Sequence, residues 1–76
     1  MFHPVTTEDL AALGALAAGA RTAKDVAARV GKDVWVSLRT MELREPALVR
    51  SEADPTVGES VWAPTDLGLE ALRELT

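Results

Sequence analysis

Most of the positive charge in this 76-residue chain lies in its middle third. Residues 21–50 hold seven of the eight lysines and arginines against four acidic residues, a local charge of +3. Residues 51–76 hold one arginine against six acidic residues, a local charge of −5. Lysine and arginine bind phosphate and carboxylate groups, so the middle third could bind an anionic partner. The net charge of −4 argues against a general nucleic-acid binder, but it does not remove this asymmetry.

Catalytic and metal-binding chemistry has little material in this sequence. The absence of cysteine excludes disulfides and thiolate metal sites. His3 is the only histidine, and we expect the N-terminus around it to fray, so neither a metal site nor a Ser-His pair is expected. We therefore predict that the protein is not an enzyme and that it binds no metal and no cofactor.

Capping residues and apolar spacing predict three helices in the first 45 residues. A threonine or aspartate can cap each N-terminus, and a glycine or proline follows each C-terminus. The predicted helices run from Thr6 or Thr7 to Gly19, from Thr22 to Gly31, and from Asp33 to about Glu45.

A hairpin and a last helix are predicted after Pro46. The segments "ALVRSEA" and "SVWAP" have strand patterns, and "DPTVGE" between them has turn residues. Thr65 can cap the last helix, and Gly68 would let that helix pass close to the sheet or to the first helix. No repeat or linker interrupts the pattern, so we predict one domain over residues 1–76. The run "LAALGALAAGA" is too short to span a bilayer, so we expect a cytoplasmic protein without a membrane partner.

This ordered set resembles the winged helix-turn-helix domains of small bacterial transcription regulators of the MarR- and PadR-like groups. The resemblance covers Thr6 to Leu75 and depends on the helix–Gly–helix pair, the hairpin, Trp62 at its end and the closing "PTDLGLEALREL". It implies an α+β, mainly α fold: a three-helix core, a two-stranded wing and a short C-terminal helix. It also implies a transcriptional regulator that binds double-stranded DNA with its third helix in the major groove. A homodimer or a protein partner is implied as well.

Two registers are open for the third helix. In the first, Val34, Leu38 and Met41 face inward, since they lie within about 60° on a helical wheel. In the second, Val36, Thr40 and Leu43 face inward. We favour the first register, because the second would expose Leu38 and Met41 and bury Thr40.

The first register predicts two sets of DNA contacts. The predicted base contacts are Arg44 to guanine, Val36 to a thymine methyl group, and Ser37 and Thr40 to bases or phosphates. The predicted phosphate contacts are Lys32, Arg39, Thr22 and Lys24. Alternatively, the basic residues form only a solvated face, paired with nearby acids.

Some features favour a different function, a winged-helix module that binds protein and not DNA. The predicted wing turn, "ADPTVGES", carries Asp54 and Glu59 but no lysine or arginine, and the third helix is apolar for a helix that reads bases. An acidic wing folded against basic residues of the same molecule is compatible with DNA, whereas one beside the third helix would repel phosphate. Trp35 is interpreted as a core residue, with an interface as the alternative.

Overall fold

Residues 5–75, which the computed structural model describes, form four helices and one two-stranded antiparallel sheet; His3 lies outside them. In chain order the elements are α1 (Thr7–Ala17), α2 (Ala23–Val30), α3 (Trp35–Leu43), β1 (Val49–Asp54), β2 (Glu59–Pro64) and α4 (Asp66–Leu75). The architecture is a mainly helical α+β winged helix, in which α2 and α3 form the helix-turn-helix and β1–β2 form the wing. The predicted fold class is confirmed.

Threonine side chains cap the first two helices as the sequence predicts. The Thr6 hydroxyl accepts a hydrogen bond from the Asp9 N–H at 3.0 Å, and the Asp9 carboxylate accepts one from the Thr6 N–H at 3.3 Å. This reciprocal pair satisfies two backbone donors at the start of α1. In α2 the Thr22 hydroxyl accepts from the Asp25 N–H at 3.1 Å, and Gly31 ends the helix at φ 89°.

The start of α3 differs from the prediction. Val34 is the N-cap residue and its side chain makes no capping bond. Asp33 lies one residue earlier, where its carboxylate accepts the Trp35 N–H at 2.9 Å. Asp33 therefore still satisfies a donor of the first turn, but from outside the cap position.

The end of α3 also comes earlier than predicted, at Leu43 instead of about Glu45. Arg44 already has an extended backbone, with φ −66° and ψ 155°. The Met41 carbonyl, which would accept the Glu45 N–H in a longer helix, accepts the Leu48 N–H at 3.0 Å. The chain thus folds back towards α3 before β1 begins.

The hairpin is attached to the helical part of the fold through β2. Its register runs from the Val49–Pro64 pair to the Asp54–Glu59 pair. On β2, the Trp62 N–H donates to the Arg21 carbonyl of the α1–α2 connection at 2.6 Å. Because this contact holds β2 against the α1–α2 connection, the hairpin keeps a defined position on the helical part of the fold.

α4 begins where it touches the segment that leads into β1. The Thr65 N–H donates to the Leu48 carbonyl at 3.0 Å, and the Thr65 hydroxyl donates to the Ala47 carbonyl at 2.7 Å and accepts the Gly68 N–H at 3.1 Å. A Cβ atom on Gly68 would lie 2.0 Å from the Leu48 carbonyl oxygen and 3.2 Å from a methyl group of Leu13. The predicted cap and the predicted close approach of Gly68 are both confirmed.

Candidate nucleic-acid interface

The inward face of α3 is the one that the first register predicts. Val34, Leu38 and Met41 are buried in the core at 2%, 0% and 0% exposure. By contrast, Val36 is 76% and Leu43 is 74% exposed. The second register is therefore wrong, because it would bury the side chains that face solvent.

The outer face of α3 consists of Val36, Thr40 and Leu43, all of them exposed. With 100° per residue, the three positions lie within about 60° of one another and opposite the buried set. We call them the outer stripe. A helix placed against a partner by this face would make contact first through two apolar side chains and one hydroxyl.

Ser37 does not belong to this stripe, although it was predicted to contact DNA. Its side chain is 9% exposed. On the helical wheel Ser37 lies only about 40° from Met41, so it falls on the flank that the core covers. The prediction that Ser37 faces outward is wrong.

Arg44 lies outside α3, as the residue that follows its last turn. Its backbone is extended and its side chain is only partly exposed. The helical periodicity of the first register, which predicted Arg44 as a base contact, therefore does not extend to this residue. Arg44 stands at the end of the outer stripe and not within it.

Trp35 is not a core residue, contrary to the interpretation from the sequence. It is 49% exposed and packs edge-on against the buried Trp62, with ring centroids 5.9 Å apart and an interplanar angle of 88°. The Arg39 guanidinium lies 5.9 Å from the centre of the Trp35 ring. Trp35 thus joins α3 to the wing at the surface, and it holds Arg39 near the outer stripe.

Arg39 and its neighbours connect α3 to β1. The Arg39 guanidinium donates to the Glu42 carboxylate at 2.9 Å. The same carboxylate accepts a hydrogen bond from the Ser51 hydroxyl. Arg39 is more than half exposed, so it can still reach a phosphate beside the helix.

The remaining predicted phosphate contacts lie around the two ends of α2. Lys32 forms an ion pair with Glu8 at 2.9 Å, and both side chains are more than half exposed. Lys24 is exposed in the first turn of α2, whereas the Thr22 hydroxyl is already engaged in capping it. An exposed ion pair such as Lys32–Glu8 contributes little stability, so a phosphate can replace Glu8 at small cost.

The acidic wing is partly neutralised within the molecule. The Asp54 carboxylate accepts the Thr56 N–H at 2.9 Å and lies 3.9 Å from the Arg21 guanidinium. Glu59 is exposed at the other end of the turn. Asp54 is therefore used by the turn and by Arg21, and Glu59 is the more exposed of these two acids.

Sequence reasoning missed Leu43 as a candidate contact. In the first register Leu43 lies about 20° from Val36 on the helical wheel, so its exposure follows from that choice. Its apolar character suggested a core residue and hid this signal.

Residues 5–75 contain neither a metal-binding cluster nor a helix that could span a membrane. In this range no cluster of three histidine, cysteine or acidic side chains could hold a metal ion. Nor does any helix of the described segment have the length and apolar character needed to cross a bilayer.

A solved structure resembles this chain over most of its length. The crystal structure of the PcaV transcriptional regulator from Streptomyces coelicolor matches with a TM-score of 0.76 and 31% sequence identity. The match covers 93% of this chain but 54% of the PcaV chain, so this chain spans about half the length of that relative. No protein-family model matches the sequence, and no curated protein matches it significantly.

Proposed function

We propose that this protein is a small winged-helix DNA-binding transcriptional regulator that inserts α3 into the major groove. The observation that carries the proposal is the exposed outer stripe of α3, which faces away from the core in a helix-turn-helix with a wing. The likeness to the PcaV transcriptional regulator supports it. The proposal includes membership of the MarR- or PadR-like groups of regulators. A protein-binding module is not favoured, because the solved structure that the chain resembles is a regulator.

Lys24, Lys32 and Arg39 are the proposed phosphate contacts. All three are exposed, and they lie on α2, in the turn after it and on α3. Phosphate contacts supply most of the affinity of such complexes, and one copy offers few of them. The proposal therefore includes a second copy or a protein partner on the DNA.

Fluorescence anisotropy with labelled duplexes tests the proposal. We expect binding at about 50 mM salt that weakens steeply towards about 200 mM, because bound counterions are released. Lys32→Ala should make the negative slope of log K against log salt shallower by about 0.9 for each bound copy, and by a similar amount on every sequence.

Arg73→Ala is the matched control, since it removes one exposed positive charge from α4, away from the helix-turn-helix. It should leave the slope unchanged. Absence of binding at low salt, from protein that circular dichroism shows to be folded, would refute the proposal and favour the protein-binding module.

A further inference from the structure

The outer stripe presents methyl groups where hydrogen-bonding side chains would read most bases. Val36 and Leu43 are 76% and 74% exposed, and Thr40 lies between them. The stripe contains one hydroxyl and no amide or guanidinium group. Bidentate readout of guanine or adenine uses arginine, lysine, asparagine or glutamine, which these three positions do not provide.

The stripe has the length of a short run of base pairs. Leu43 is seven positions after Val36, so the two residues are about 10.5 Å apart along a helix that rises 1.5 Å per residue. Base pairs are stacked about 3.4 Å apart, so the stripe spans at most about three base-pair steps. Because the three side chains lie within about 60° of each other, they can meet the same groove floor.

The only apolar group that ordinary base pairs present in the major groove is the 5-methyl group of thymine. 5-Methylcytosine places the same methyl group at the same edge. We propose, on the basis of the function proposed above, that Val36, Thr40 and Leu43 read pyrimidine 5-methyl groups. The preferred site of this protein then carries such methyl groups within a run of three base-pair steps.

The charge around the stripe favours DNA over a protein as the occupant. Residues 21–50, which include α2 and α3, have a local charge of +3, and Arg39 flanks the stripe directly. A nucleic acid offers methyl groups bordered by negatively charged phosphates, which matches an apolar stripe bordered by basic side chains. A protein partner would need an apolar contact surrounded by acidic residues.

A pair of random duplex pools tests the inference, one made with thymine and one with uracil at every thymine position. Uracil lacks only the 5-methyl group, so phosphate contacts and hydrogen bonds are the same in both pools. Sequences selected from the thymine pool should lose affinity about fourfold for each contacted methyl group when uracil replaces thymine, which corresponds to about 0.8 kcal/mol. The two sources of the methyl group, thymine and 5-methylcytosine, are distinguished by a second comparison. At a contacted position, the affinity for a duplex with 5-methylcytosine is compared with the affinity for the same duplex with cytosine.

Val36→Ser should weaken binding to the thymine duplex and abolish the discrimination between thymine and uracil at one position. Leu69→Ser, the matched control, changes an exposed apolar residue of α4 and should keep the full discrimination. Equal binding of both duplexes by the unmodified protein would overturn the inference while the proposed function stands. Discrimination unchanged in Val36→Ser would overturn the assignment, and absence of all DNA binding would overturn the proposed function with it.

Discussion

Gly68→Ala should destabilise the protein, although alanine is the better helix former. The new Cβ atom would lie 2.0 Å from the Leu48 carbonyl oxygen and 3.0 Å from its carbonyl carbon, far inside van der Waals contact. That carbonyl cannot move freely, because it accepts the Thr65 N–H and the Thr65 hydroxyl holds the neighbouring Ala47 carbonyl. The substitution must therefore shift α4 away from β1 or break the bond to Thr65.

The magnitude follows from three contributions. Overpacking of this kind costs about 1–3 kcal/mol, and losing the backbone hydrogen bond costs about 0.5–1.5 kcal/mol more. Replacing glycine by alanine in a helix returns about 0.5–1 kcal/mol. The net loss in the free energy of unfolding is about 0.5–4 kcal/mol, which lowers the Tm of a domain of this size by at least about 2 °C.

Gly14→Ala is the matched control for this prediction. Gly14 lies within α1, and a Cβ atom there would meet nothing within 4 Å. The same chemical change should therefore raise the free energy of unfolding by about 0.5–1 kcal/mol and the Tm by about 2–8 °C. Urea and thermal unfolding measure both variants. A Gly68→Ala protein as stable as the parent would refute the close approach of α4 to Leu48.

Three further variants test other contacts. Thr65→Val removes the cap of α4 and should lower the free energy of unfolding by about 1–2 kcal/mol in urea titrations; an unchanged midpoint would contradict that role. Trp35→Phe leaves the buried Trp62 as the only tryptophan, so acrylamide quenching should fall sharply, whereas undiminished quenching would show that Trp35 is not the exposed ring. Glu8→Gln frees Lys32 and should raise DNA affinity at low salt, an advantage that should fade as salt screens the charges.

The elements and the caps of α1, α2 and α4 could be read from the sequence because their causes are local. Thr6, Thr22 and Thr65 each stand before a run with helical spacing, and each hydroxyl accepts the predicted backbone hydrogen bond. The register of α3 was also predictable, because exposing both Leu38 and Met41 would have left two large apolar side chains in water.

The flanks of α3 could not be read in the same way. Ser37 and Trp35 lie at the edges of the inward face, where burial depends on what packs alongside. Trp62 of the wing packs against the Trp35 ring at an interplanar angle of 88°, and the Trp35 ring stays half exposed. The early end of α3 has a similar origin, since the Met41 carbonyl is taken by Leu48 from beyond the helix. Such contacts join segments distant in sequence, and helical periodicity does not describe them.

The electrostatic arrangement explains how a protein of net charge −4 could read DNA through an apolar helix. Each of three basic side chains near the helix-turn-helix or the wing already has an acidic neighbour within the chain. The pairs are Lys32–Glu8, Arg39–Glu42 and Arg21–Asp54. A phosphate must replace an acid at these positions, so each contact adds less affinity than a free cation would. Under the proposed function, non-specific binding by one copy is weak, and discrimination between sites depends on the outer stripe and on the number of copies bound.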